Sequence, residues 1–128
     1  MKDLNQNWKE RDTIIFGNSL EEKYDIKSFS KLSVEKAKEL LDKNFADPDD
    51  AQNDAPTFQE MIDFCTKYPQ VKMHGYAVNI SRSDYRVTIE GLEYNGIVSK
   101  ELMIEFTNLF RDADDFNVQE NELFCWFD

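Results

Sequence analysis

A helix that stops abruptly in front of two strands constrains the fold of this chain more than any other feature. Residues 57–60, Thr-Phe-Gln-Glu, fit a capping box, in which the Thr hydroxyl and the Glu carboxylate each satisfy a backbone amide at the start of a helix. Apolar residues then recur at helical spacing until Pro69 ends the run: Phe58, Met61, Ile62, Cys65 and Tyr68. The pattern predicts an amphipathic helix packed against an apolar surface.

Two strands are predicted immediately after this helix, over residues 71–80 and 85–94, with a short polar loop between them. In the second strand Tyr85, Val87 and Ile89 alternate with polar residues, a period of two that is typical of a sheet with one buried face and one face in water. The dipeptide Asn95-Gly96 marks the end of that strand.

Two further helices are predicted from their capping residues. Ser33 is expected to cap a helix that runs to about Phe45, and Ser99 a helix that runs to about Asp112. Residues 46–56, which are rich in Asp and contain two prolines, separate the first of these from the helix that Thr57 begins.

The two ends of the chain are predicted less completely. Residues 123–127 form a strongly apolar strand that we expect to be central or covered on both faces. Residues 1–30 are weakly patterned, apart from a short strand predicted at residues 13–16 and closed by a turn at Gly17-Asn18.

The order of these elements, β-α-α-β-β-α-β, predicts a single α+β domain spanning residues 1–128. We expect an antiparallel sheet of three to four strands with helices packed on one face. A ferredoxin-like βαββαβ core with an extra helix is a specific version of this prediction. With 41% hydrophobic residues and ten phenylalanines in 128 residues, the chain has enough apolar material to fill one core.

The charge of the chain restricts its partners. It has 26 acidic residues against 15 Lys and Arg, a net charge of -11, although residues 67–86 carry a net +3. A surface this acidic repels nucleic acid and anionic membranes and attracts cationic partners. We expect a cytoplasmic protein, because there is no secretory signal and no apolar run long enough to span a membrane. Cys65 and Cys125 lie outside any C-x-x-C or metal spacing, and we expect them to be buried free thiols in a reducing compartment rather than a disulfide.

The first candidate site is acidic and aromatic. Residues 112–128 hold six acids and no bases, and they end in the cluster Leu-Phe-Cys-Trp-Phe. Aromatic residues concentrate at interface hot spots, so Trp126 is the candidate anchor for a basic partner. The alternative is a core strand whose acidic flanks guard against aggregation. The candidate partner-binding residues are Asp47, Asp49, Asp50, Asp112, Asp114, Asp115 and Trp126.

The same acidic loops do not predict a metal site. Asp47 and Asp49 have the spacing that begins an EF-hand loop, but Ala51 and Gln52 stand where that loop needs an oxygen ligand and a glycine. Residues 112–115 fail in the same way, with Phe116 at the fifth position. We therefore predict no metal and no cofactor.

The second candidate site is basic. Alternation on the first strand of the predicted hairpin places Lys72, His74 and Tyr76 on one face, and Arg82 and Arg86 follow in the loop and the next strand. Together these side chains form a candidate site for a carboxylate or phosphate. The alternative is that the cations neutralise neighbouring acids such as Asp84 and Glu90 on an ordinary wet face.

No sequence motif predicts catalysis. His74 is the only histidine, no nucleophile motif surrounds the nearby serines, and four glycines form no phosphate-binding loop. The leading hypothesis is therefore a non-enzymatic interaction module that binds a basic macromolecular partner, as inhibitor or immunity-type proteins do. The alternative is a small-molecule anion-binding or enzymatic domain centred on His74, Arg82 and Arg86. Self-association is compatible with either if the aromatic C-terminal strand is an exposed edge.

Overall fold

The computed structural model describes residues 3–18 and 24–128, which form four helices and one five-stranded sheet. The helices are α1 (Trp8–Phe16), α2 (Val34–Asp42), α3 (Phe58–Lys67) and α4 (Lys100–Phe110). The strands are β1 (Ile26–Leu32), β2 (Lys72–Val78), β3 (Val87–Asn95), β4 (Asp115–Gln119) and β5 (Glu122–Trp126).

The sheet has the order β1-β2-β3-β5-β4, and every neighbouring pair is antiparallel. The predicted α+β class is confirmed, but the sheet has five strands rather than three to four. The ferredoxin-like version is not confirmed, because β1 lies directly beside β2 rather than being separated from it by an intervening strand. The C-terminal strand β5 is flanked by β3 and β4, so it is not the exposed edge that the self-association hypothesis requires.

The caps predicted for three of the helices are present. The Ser33 hydroxyl accepts a hydrogen bond from the amide of Lys36, at 3.3 Å, and the Ser99 hydroxyl accepts one from Leu102, at 3.1 Å. Thr57 and Glu60 form the complete capping box at the start of α3. Each cap satisfies an amide that has no partner within its helix, which explains why these helices begin where they do.

The strand predicted at residues 13–16 is wrong, because these residues form the last turn of α1. The side chain of Asn7 accepts from the amide of Glu10 and caps the helix, and Gly17 ends it in the left-handed conformation, at φ 83°. Residues 13–16 are four β-branched or aromatic residues in a row, which locally favour a strand. The cap and the burial of Arg11 and Asp12 on the same helix outweigh that local preference.

Two strands were not predicted. An extra residue interrupts the pairing of β1 with β2 between Phe29 and Leu32, where Lys31 has a φ of 57°, so the period of two is lost in the sequence. β4 is only five residues long. Part of the weakly patterned N-terminal stretch, residues 1–2 and 19–23, lies outside the described residues.

The core lies on the face of the sheet that the helices cover. Met73, Leu92 and Cys125 form one row across three strands and are fully buried. Phe106 of α4 stacks on Phe116 of β4 at 5.7 Å between ring centres, and Phe16 of α1 meets Phe29 of β1 edge-on. Contacts of this kind place the helices on the same side of the sheet as the row of core residues.

Both cysteines belong to this core. Cys65 on α3 and Cys125 on β5 are fully buried free thiols. Burial raises the pKa of each thiol to about 12, since the thiolate loses its hydration in an apolar environment.

A buried arginine attaches α1 to the end of the β2–β3 hairpin. Arg11 is 0% exposed; its Nε donates to Asp12 at 2.9 Å, and its Nη1 donates to the carbonyl of Val78 at 2.9 Å. Its Nη2 donates to the hydroxyl of Tyr24, and its guanidinium lies over the ring of Tyr85 at 4.5 Å. A buried cation is tolerated only when its donors and charge are satisfied in this way.

Replacing Arg11 with Met is expected to reduce the free energy of unfolding by about 3 to 5 kcal/mol, because Asp12 is left as a buried charge without a counterion. The measurement is urea denaturation at neutral pH. Lys9→Met, an exposed position on the same helix, is the control and should change stability by no more than about 0.5 kcal/mol. The explanation is wrong if Arg11→Met costs no more than this control.

Candidate functional site

The face of the sheet opposite the helices carries a half-buried aromatic surface, which we call the open face. It is formed by His74 on β2, Glu90 on β3, and Phe124 and Trp126 on β5. An irregularity in the pairing creates it: Gly75 faces Ile89 and His74 faces Gly91, so Glu90 is an extra residue in β3. Such a bulge re-aims the side chains around it.

His74 is locked in place at the centre of the open face. Its ring stacks on Phe124, with 5.1 Å between ring centres and 3° between planes. Its Nε2 lies 2.9 Å from the carbonyl oxygen of Cys125 on β5. To reach this oxygen, the imidazole ring passes over Gly91 of β3, the strand between β2 and β5. A methyl group added to Gly91 would lie 2.7 Å from His74 Nε2 and 1.8 Å from the Cys125 oxygen. Only glycine allows the imidazole to bridge these strands.

Trp126 is held at the edge of the same face. Its indole Nε1 donates to the carboxylate of Glu90 at 3.2 Å, which fixes the ring while leaving part of it accessible to solvent. Asp115, which is exposed, is its register partner on the edge strand β4. The indole is therefore oriented by one carboxylate and flanked by a second.

The two acidic segments predicted from the sequence, residues 47–54 and 112–115, meet beside Trp126. The side chain of Asn53 donates to the backbone oxygen of Asp128, and the amide of Asp128 donates to Asp114 Oδ2 at 2.7 Å. Asp49, Asp112, Asp114 and Asp115 are exposed, and Asp47 is partly buried with its carboxylate accepting from the amide of Asp49. The fold thus joins two segments that are far apart in the sequence into one acidic surface.

Asp50 is the exception among the predicted acidic residues. Its Oδ2 atom is buried and has no hydrogen-bond partner among the described residues. Burial raises the pKa of Asp50, while the nearby Thr88 hydroxyl and Arg86 guanidinium act in the opposite direction. Asp50 therefore faces the sheet rather than the acidic surface.

The five residues of the predicted basic site do not form one patch. Tyr76 and Arg86 are in contact, because Arg86 Nη2 donates to the Tyr76 hydroxyl at 2.8 Å, and Arg86 also donates to Asp84 at 3.1 Å. Arg82 binds the same carboxylate with two hydrogen bonds, at 2.8 and 2.9 Å. These bonds, first of all those from Arg82, lower the pKa of Asp84.

The other two members of that site lie apart from the arginines. Lys72 donates to the carbonyl of Pro69 at 3.0 Å, at the beginning of β2, and His74 belongs to the open face. Of the two acids that the sequence offered as neutralising partners, Asp84 binds Arg82 and Arg86, whereas Glu90 accepts a hydrogen bond from the Trp126 indole.

Sequence reasoning did not identify Glu90, Gly91 and Asn53 as parts of a site. A glycine inside a strand of otherwise regular alternation is a signal of a bulge or of close backbone approach, and Gly91 is such a residue. No comparable local signal exists for Asn53, whose contact depends on the position of Asp128.

The described residues place further limits on the site. Within residues 3–18 and 24–128, no three His, Cys, Asp or Glu side chains converge in a way that would hold a metal ion. None of the helices formed by these residues is both long and apolar enough to cross a membrane. Comparisons of the chain with protein-family models, with curated proteins and with solved structures found no match.

Gly91→Ala is expected to reduce the free energy of unfolding by about 3 kcal/mol, because the new methyl group must push β5 away from β3. Gly17→Ala is the matched control: it has open space but a positive φ, so it should cost only about 1 kcal/mol. Denaturant unfolding measures both. Adding His74→Ala should not restore Gly91→Ala, since the clash with the Cys125 carbonyl remains; full rescue would contradict the geometry.

The raised pKa of Asp50 predicts a pH-dependent effect of Asp50→Asn. Because the folded-state pKa lies above the ordinary value of 3.8, Asp50 contributes stability in acid that is lost as the pH rises through the folded-state pKa. Asp50→Asn has no such loss, so its stability relative to the wild type should be greater at pH 7 than in acid. Urea midpoints across this pH range measure the difference, and Asp49→Asn controls for the removal of one acidic charge. A difference that shrinks towards pH 7 would contradict the interpretation.

Proposed function

We propose that this protein is a non-enzymatic interaction module that binds a basic macromolecular partner through the open face and the adjoining acidic segments. The observation that carries the proposal is the meeting of residues 47–54 with residues 112–115 beside a fixed, partly exposed Trp126. An aromatic anchor surrounded by charge is the usual composition of an interface hot spot and its rim.

The two parts of this surface have different roles. Exposed carboxylates such as Asp112 and Asp115 attract a cationic partner over a distance and accelerate the encounter. Trp126 contributes to the lifetime of the complex, because burying an already oriented indole loses little conformational entropy. A partner with a basic surface and an apolar recess is the complement of this arrangement.

An inhibitor or immunity-type role fits such a surface. A small acidic protein that covers the basic face of a toxic or nucleic-acid-binding partner would neutralise it by occupying the surface that contacts its target. This part of the proposal is an analogy based on charge and size.

The alternative, an anion-binding or enzymatic site at His74, Arg82 and Arg86, has weaker support. Both guanidinium groups are already engaged by Asp84, and His74 is held between Phe124 and the Cys125 carbonyl. An anion would have to displace these intramolecular partners before it could bind.

The proposal is tested by capturing partners from a lysate of the source cells at low and high salt and then measuring the purified complex by surface plasmon resonance. Trp126→Ala is expected to weaken binding by about 30-fold, mainly through faster dissociation. Neutralising Asp112, Asp114 and Asp115 to Asn should instead slow association and reduce its dependence on salt.

A triple variant with the same change of charge is the matched control. Glu35→Gln, Asp42→Asn and Glu120→Gln remove three exposed acids that do not belong to residues 47–54 or 112–115, and they should leave the association rate nearly unchanged. If the control slows association as much as the test variant does, only total charge matters and the proposed surface is wrong. Binding that is indifferent to Trp126→Ala would likewise exclude the open face.

A further inference from the structure

A groove between α3 and α4 forms a second surface, on the opposite side of the sheet from the open face. Its volume is about 470 Å³, within the range of about 300–1,000 Å³ that is typical of binding pockets. The start of α3 lies near the end of α4, because Pro56 and Glu60 line the groove together with Leu109 and Phe110. The two helices therefore run in opposite directions along its walls.

The floor of the groove is apolar and rigid. Phe64 packs edge-on against Phe110, with 5.1 Å between ring centres, and against Phe106 at 6.0 Å. Leu109 forms part of the wall and is 54% exposed, although it stands beside these buried rings. A partner that covers the exposed part of Leu109 would bury apolar surface beside the apolar floor, which favours binding.

The rim of the groove is acidic. Glu60, Asp63 and Glu105 line it together with a single cation, Lys67. Lys67 is bound to Glu105 at 2.6 Å and to Glu101 at 3.4 Å, so it closes one end of the groove. Among residues 3–18 and 24–128, the hydrogen-bond donors to Glu60 and Asp63 are neutral: the amide of Thr57 and the side chain of Gln59. Neither carboxylate forms a salt bridge within these residues.

We propose that this groove is a docking site for a basic amphipathic helix of a partner protein. An apolar floor between two helices accepts the apolar stripe of a third helix, and basic residues on both sides of that stripe complement Glu60 and Asp63. A second copy of this chain would bring the same acidic rim against itself and be repelled. The inference does not rest on the function proposed for the open face.

The groove is long enough for such a helix. α4 has eleven residues and so extends over about 16 Å, which matches about three turns of a docked helix. Anchors at positions i, i+4 and i+7 of the partner would lie along the floor formed by Phe64 and Phe110, next to Leu109.

The probe is a synthetic peptide of about 14 residues with leucines at i, i+4, i+7 and i+11 and lysines elsewhere on the helix. Titrated into the full-length, isotope-labelled protein and followed by NMR, it is expected to bind saturably and to shift the signals of Phe64, Leu109 and Phe110. A peptide of the same composition with scattered leucines should bind at least tenfold more weakly. Equal binding of both peptides, or no binding up to millimolar concentration, would overturn the proposal.

Paired variants separate the groove from general effects. Leu109→Ser is expected to weaken the peptide about tenfold, whereas Ile97→Ser, which removes a residue 88% exposed outside the groove, should not. Asp63→Lys should weaken it more than Asp42→Lys, which changes the total charge equally. Trp126→Ala should leave peptide binding unchanged. Peptide-induced shifts around Trp126 instead of Leu109 would disprove the groove while leaving the open face intact.

Discussion

The single extra residue in β3 is the constraint on which the open face depends. Because Glu90 is inserted between the pairs Gly75–Ile89 and His74–Gly91, the register on either side of it is offset. This offset brings Glu90 within reach of the Trp126 indole and lets the His74 ring cross Gly91 to the β5 carbonyl. A regular ladder would alternate strictly and would leave one of these contacts on the helix side.

The aromatic side chains of the open face are held in fixed orientations. Phe124 and Trp126 are each held by a neighbouring side chain, one by stacking and the other by a hydrogen bond, so little side-chain freedom remains to be lost when a partner binds. The acidic segments are tied to the same region through Asp128, so the charged and aromatic parts keep a fixed spacing. The α3–α4 groove repeats the combination of apolar floor and acidic rim, built from helices instead of strands.

The sequence predicted those elements whose signals are local. Ser33, Thr57 and Ser99 mark three helices because a capping hydroxyl acts within three residues of its own position. Residues 13–16 were misassigned because their strand preference is equally local, whereas the helix there depends on Arg11 reaching Val78, 67 residues away. The sequence does not predict β1, because the irregularity at Lys31 interrupts the alternation of apolar and polar residues that identifies a strand.

The candidate site was predictable only in part, for the same reason. The composition of the sequence identifies Trp126 and the two acidic segments as candidates. It does not predict that they lie together, because their proximity depends on Asn53 lying beside the end of β5. Asp49 and Asp50 are adjacent aspartates, but Asp49 is exposed to solvent whereas Asp50 lies near Arg86. No pattern of charge along a loop distinguishes them, since the difference is set by the strand against which the loop packs.

The two buried cysteines make local unfolding of the core measurable, because each can be labelled by a thiol reagent only when it becomes exposed. With a pKa of about 12, each thiol is protonated and enclosed in the native state, so a thiol reagent can react only while the core is transiently exposed. Cys65 is carried by a helix and Cys125 by the strand between β3 and β4. Faster labelling of Cys65 therefore indicates that α3 detaches from the sheet, whereas equal labelling of Cys65 and Cys125 indicates that the strands of the sheet separate as well.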